Sequence, residues 1–169
     1  MQRHEHAPIN LLEMLREHRR LRVPVWQQIR KAGLLVVLTA PLIYACLIPF
    51  LWVDLFVSVY QWVCFPIYGI PKVRRRDHLI FDRGKLQYLN GIERMNCVYC
   101  SYANGLLGYV TEIAGRTEQY FCPIRHAREV ARPHSRYSHF LPYGNGRAYR
   151  AHAEKVSRAY GDVKGRHGG

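Results

Sequence analysis

The residues with the most chemistry to offer are Cys97, Cys100, Cys122 and His126, spaced C-x2-C-x21-C-x3-H in a chain of 169 residues. A C-x2-C turn can aim two thiolates at one ion, and a second half-site on another element completes a tetrahedron. In FCPIRHA, Pro123 suits the first position of a helix, where its missing N–H costs nothing. Cys122 would then sit at the helix cap, with His126 four residues on along the same face. Three sulfurs and an imidazole suit Zn²⁺, and four protein ligands leave no position for water or substrate, so the expected role is a structural staple. An iron–sulfur cluster on three thiolates and one His is the alternative cofactor at the same residues. A thioredoxin-like redox pair would require a βαβ pattern that is missing here. A c-type haem would require His directly after the second Cys, where Ser101 stands. Ordinary buried thiols are the bland reading.

What must position these residues follows from the charge pattern. Residues 1–31 carry seven Lys/Arg and three Asp/Glu, residues 32–71 carry Asp54 alone, and residues 72–169 carry eighteen Lys/Arg and eight Asp/Glu. The middle block, AGLLVVLTAPLIYACLIPFLWVDLFVSVYQWVCFPIYGIP, is long enough for one generous membrane pass or two tight ones. Arg19, Arg20, Arg22, Arg30 and Lys31 precede it; Lys72, Arg74, Arg75 and Arg76 follow it. Basic flanks mark the cytoplasmic side, so both ends are expected there. The expected shape is a hairpin over residues 31–71, with helices near 31–51 and 55–70 and a turn at Val53–Asp54. One kinked span followed by an interfacial helix is the rival. Pro41, Pro49 and Pro66 can each bend the segment. Asp54 at a hairpin tip would avoid the cost of a charge at the bilayer centre, about 2.5–3.5 kcal/mol. The run starts too late and is too long for a cleaved signal peptide. Cys46 and Cys64 read as small apolar residues within it.

Residues 1–30 form a basic arm. NLLEMLREHRRLR (10–22) predicts an amphipathic helix with Asn10 and Glu13 as a capping box, lying on headgroups or on the protein's own cytoplasmic domain, and ended by Pro24. Residues 72–131 are the expected metal-binding domain. HLIFDRGKLQYL (78–89) reads as a short strand, a turn at Gly84 and the start of a helix. SYANGLLGYVTEIAGRTEQYF reads as mostly helical, with Tyr102, Leu106, Tyr109 and Ile113 at helical spacing. Gly105, Gly108 and Gly115 weaken that helix by about 1 kcal/mol each relative to Ala, and glycines on a helix face permit close approach of another element. Glu93, Glu112 and Glu118 are bases only if a metal ligand is absent; otherwise they are solvated. In the tail, residues 132–169, RAYRAHAEKVSRAY (147–160) predicts one helix after a YGNG turn, and His134, His139 and His152 read as surface residues. Tyr and Arg interleave there as in single-strand nucleic-acid binders, but no RNA or DNA motif is present, and anionic lipid explains the charge more simply.

At NCVYCSYANG followed by RTEQYFCPIRHAR, the sequence resembles a group of small bacterial membrane proteins over residues 75–130. The resemblance implies an inner-membrane setting and carries no activity; Cys97, Cys100, Cys122 and His126 are the positions that match. The expectation is therefore a mainly α protein: a membrane hairpin, or single kinked span, with a small α-rich, zinc-stapled cytoplasmic domain and both termini in the cytoplasm. It contacts an anionic bilayer and other membrane subunits. The expected role is an accessory, adaptor or assembly subunit of a membrane complex. The alternatives are an electron-transfer or redox-sensing protein with an iron–sulfur centre, and a membrane-anchored enzyme acting on lipid or a lipid-linked substrate. No catalytic constellation supports the last.

Overall fold

The structure is a computed structural model that describes residues 11–164. About 70% of it is helix, and no strand is present among the described residues. The helices are α1 (Leu11–Leu21), α2 (Val25–Ala32), α3 (Leu34–Ala45), α4 (Leu47–Tyr68), α5 (Gly91–Phe121), α6 (Gly146–Ser157) and α7 (Gly161–Lys164). The chain divides into two compact units: Met1–Leu47 with Ile80–Ala103, and Ile48–Leu79 with Asn104–Gly169. The expected Asn10–Glu13 capping box and the last five residues of the tail lie outside the described residues.

In the first unit, α1 ends at Leu21, and Pro24 serves as the N-cap of α2. Gly33, with φ of 80°, turns the chain from α2 into α3. The start of α5 is tied down by a capping box that the sequence reading did not find. Glu93 N–H donates to Asn90 Oδ1 at 3.0 Å, and Asn90 N–H donates to Glu93 Oε2 at 2.9 Å, so two helix-end donors are satisfied reciprocally. Asn90 also donates from Nδ2 to the Val23 carbonyl at 3.1 Å and to Gln28 Oε1. Further along α5, Tyr99 Oη donates to the Ile43 carbonyl at 2.8 Å, and Tyr44 Oη donates to Asn96 Oδ1.

In the second unit, α4 has two faces. Asp54, Gln61 and Phe65 are buried along a seam of spacing seven and four, one face of a helix. Leu55, Phe56, Val59, Trp62, Val63 and Ile67 stay exposed on the other. Gly69, with φ of 69°, ends α4 in the left-handed conformation glycine favours, and Ile70 N–H donates back to the Phe65 carbonyl at 2.9 Å. The chain then returns along α4. Gln61 clamps it by accepting from Val73 N–H at 2.6 Å and donating to the Val73 carbonyl at 3.3 Å and to Tyr109 Oη at 2.8 Å. Arg75 reaches Asp54 with both guanidinium ends, one at 2.6 Å. From α5 come Leu106, Tyr109 and Ile113, all buried. Gly105 is required by a close approach: a Cβ there would meet the His78 carbonyl oxygen at 2.7 Å.

Several expectations change. The turn at Val53–Asp54 is absent; α4 runs straight through it, and the break in the apolar run falls at Cys46. Asp54 needs no water-exposed tip because Arg75 neutralises it. No strand forms at 78–83, where the chain is coil and a 3-10 turn over Arg83–Lys85. The helix over the glycines holds as expected, since Gly105 and Gly115 are packed against neighbouring groups. The tail helix also holds as α6, capped by Asn145 Oδ1 accepting from Ala148 N–H at 3.0 Å.

Candidate functional site: a polar cleft in the second unit

Cys97 and Cys100 do not form a turn. The Asn90–Glu93 cap starts a helix that runs unbroken to Phe121, so both thiols sit three residues apart within α5, one half-buried and one exposed. Cys122 follows the end of α5 and is exposed, its N–H still bonded to the Glu118 carbonyl at 2.7 Å. No helix begins at Pro123, contrary to the capped helix expected there. The chain is extended instead, bridging Ile124 to Leu141. His126 is exposed and stacks on Tyr137, whose Oη accepts from the His126 N–H at 2.7 Å.

Residues 101–121 between the two expected half-sites are helix, which rises about 1.5 Å per residue, or roughly 30 Å in all. A tetrahedral zinc site holds its sulfurs about 2.3 Å from one ion. Among the described residues, no group of three His, Cys, Asp or Glu side chains is placed to hold a metal.

The three glutamates near those cysteines all have structural partners. Glu93 caps α5. Glu118 meets His134 Nε2 at 2.8 Å. The His134 ring in turn lies where a Cβ on Gly115 would clash at 2.6 Å, so His134 is packed, not a surface residue. Glu112 accepts from Arg116 Nε at 2.8 Å, pairs with Arg116 Nη2 at 2.8 Å, and accepts from Ser135 Oγ at 2.8 Å.

That Glu112–Arg116 pair lies in a cleft of about 590 Å³, lined chiefly by Arg74, His78, Glu112, Arg116, Ser135, Arg136, His139 and Asp162. Two buried arginines organise it. Arg116 also donates from Nη1 to the Pro71 carbonyl at 2.8 Å and to the Lys72 carbonyl at 3.3 Å. Arg136, only 2% exposed, donates from Nε to Gln119 Oε1 at 2.6 Å, from Nη2 to the Ala159 carbonyl at 3.0 Å, and from Nη1 to Asp162. Gln119 holds the Val156 and Ala159 carbonyls at 2.8 and 3.0 Å. Tyr160 Oη donates to the Arg116 carbonyl at 2.7 Å. Planar guanidinium forks suit this work because each ties several acceptors at fixed angles.

Electrostatics follow the geometry. Burial alone would raise the Glu112 pKa, but the hydrogen bonds from Ser135 and Arg116 and the Arg116 charge outweigh it and hold the group below its ordinary value. Asp162 is lowered chiefly by its bond to Arg136. Burial pushes the Tyr160 phenol up to about 12. A carboxylate held ionised in this way is a weak proton acceptor. The Ser135 hydroxyl thus donates to a carboxylate that its hydrogen bonds hold ionised.

The sequence carried a signal for Arg116, since Glu112 stands four residues before it on a helix. For Arg136, Gln119 and Gln61 there was none; their partners come from distant segments.

No family model matches the chain, and comparisons with curated proteins and with solved structures return no match.

Proposed function

We propose that this is a membrane-anchored accessory protein, an adaptor or assembly subunit of a larger bacterial inner-membrane complex. One observation carries the reading. Leu34–Tyr68 is helical but for Cys46, long and apolar enough to cross a membrane, and its most apolar stretch is not buried inside the structure at all. A soluble protein rarely leaves so much contiguous apolar surface in water. Leu35 is 78% exposed, Trp62 71% and Ile67 74%. In a bilayer, those side chains face lipid and the helix satisfies its own backbone.

The polar seam of α4 fits the same reading. An intramembrane carboxylate calls for a named partner, and Asp54 has Arg75. The basic flanks, among them Arg30, Lys31, Lys72 and Arg76, then face anionic headgroups, which favour each such charge by about 1 kcal/mol near the surface. Support for an accessory role comes from chemistry: the carboxylates beside the cysteines, Glu93, Glu112 and Glu118, all hold structural partners.

Extraction of cell membranes with alkaline carbonate, followed by purification in mild detergent, tests the proposal. The chain should stay in the pellet and then co-purify with a stable partner. Recovery in the soluble fraction would refute the anchor, and a lone monomer that turns over a substrate would refute the accessory role.

A further inference from the structure

We propose that α4 lies in the plane of an anionic bilayer surface, with its apolar face sunk among the acyl chains, and does not cross the membrane. The inference rests on the membrane anchor proposed above and concerns how the second unit meets the lipid. Every exposed side chain of α4 is apolar. Trp52, Phe56, Val59 and Val63 follow at spacings of four and three, one face of a helix, with Trp52 stacked on Phe56. The polar side chains Asp54, Ser58 and Gln61 are buried or half-buried on the opposite face. The chain after Gly69 runs back along that polar face. Hydrogen bonds fix its path: Ile70 at Phe65, Val73 at Gln61, and Arg75 at Asp54. This returning segment is charged. The Arg76 side chain is 77% exposed and that of Asp77 50%, and Lys72 is exposed as well. Behind the segment, Arg116 donates to the Pro71 and Lys72 carbonyls, so the polar cleft backs onto it.

An upright α4 would carry these charges through hydrocarbon. Its 22 residues make a helix about 33 Å long, against an acyl layer about 30 Å thick. Asp54 stands about 10 Å from the Leu47 end and about 21 Å from the Tyr68 end, at the helical rise per residue. Arg75, Arg76 and Asp77 would therefore sit well inside the acyl layer. The Arg75–Asp54 pair neutralises itself, but Arg76 and Asp77 would face lipid, where charge is expensive. Laid in the plane, α4 meets no such cost. An amphipathic helix buries its apolar face about 5–10 Å below the headgroups, and Trp52 and Trp62 take the boundary depth that tryptophan favours. Lys72, Arg75 and Arg76 then stand at headgroup level, where anionic lipid attracts them. A second copy of this chain is the poorer occupant of the face, because a formal net charge of +13 would meet its like.

The test reads depth. The full chain is reconstituted in vesicles of phosphatidylcholine and phosphatidylglycerol, with bromine placed either near the headgroup or near the acyl terminus, and tryptophan quenching is measured. The chain has three tryptophans. Trp26→Phe with Trp62→Phe leaves Trp52, and Trp26→Phe with Trp52→Phe leaves Trp62. Changing all three to Phe together with Val59→Trp puts the probe near the middle of α4. All three probes should lose most fluorescence to the shallow bromine. Strongest quenching of the Val59→Trp probe by the deep bromine would mean an upright helix, which overturns this proposal and leaves the anchor standing. Absence of flotation with the vesicles, with no quenching by either lipid, overturns both; a dimer in that case assigns the face to a second copy. The unmodified chain gives a check that no variant can spoil. In the same vesicles, exhaustive labelling with a water-soluble carbodiimide should modify Asp77 as fully as the exposed Glu129 and Glu154. Protection of Asp77 while those two are labelled overturns the in-plane placement.

Discussion

The two halves of α5 make an instructive pair. In the first unit, the helix carries the residues that look chemical, Cys97 and Cys100, and leaves both thiols at least partly accessible. In the second, it carries residues that read as filler, and there Leu106, Tyr109, Ile113, Arg116 and Gln119 are all buried. The half that looks reactive is held by tyrosine hydroxyls and an asparagine cap. The half that looks bland organises a network of buried arginines and a cleft. Chemical residue types mark a site only when the backbone gathers them, and gathering depends on partners from far along the chain.

The comparison breaks most readily at Arg116. Substituting Arg116→Ala strands Glu112 and two backbone carbonyls, and removing one member of a buried pair costs about 3–5 kcal/mol. Chemical denaturation in detergent should show that loss. An effect below about 1 kcal/mol would mean the network is ornamental and the two halves are alike. A smaller effect, about 1–3 kcal/mol for overpacking, should follow Gly105→Ala, because its Cβ would press on the rigid backbone of His78 and Leu79. Gly91→Ala, in the other half, meets nothing within 4 Å, so it should be neutral or slightly stabilising. Equal penalties at the two glycines would show that close packing is not what separates the halves.

Helical periodicity placed Leu106, Tyr109 and Ile113 correctly because it is a local property. The same holds for the tail helix, whose start is written in YGNG. The apolar run was equally plain, but its internal break was not. Asp54 looked like a turn residue because Arg75, which neutralises it, lies twenty-one residues on and reaches it only after the chain reverses at Gly69. The C-x2-C motif misled for the converse reason. It is read as a turn from its spacing, whereas the Asn90–Glu93 capping box upstream commits those residues to helix. That box has the same form as the one sought at Asn10 and Glu13. The cleft was hidden, since Arg74, Arg116, Arg136 and Asp162 share no sequence neighbourhood.

Acid should loosen the second unit by a smaller margin. Glu112 is held below its ordinary value of 4.5, so its contribution is fully present above that pH and is lost as pH falls through the folded value. Asp162, lowered from 3.8, acts in the same direction but weakly, being more exposed. Melting temperature should therefore fall as pH drops below about 4.5, and Glu112→Gln should flatten that slope while lowering stability at neutral pH. A pH profile unchanged by the substitution would remove Glu112 from the network's electrostatics.

The smallest effect is expected at the cysteines, and it sharpens the contrast most. Cys97→Ser changes a half-buried group inside the long helix α5, so it should alter stability by no more than about 0.5 kcal/mol. Elemental analysis of protein purified without air should find well under one zinc per chain, with no loss of fold on mild chelation, because no group of three ligand side chains is gathered among the described residues. Stoichiometric zinc, with unfolding on chelation and the same loss in Cys97→Ser, would require α5 to break between Cys100 and Cys122. The reactive-looking half would then be the organising one, and the second unit's arginines would be supporting a metal staple.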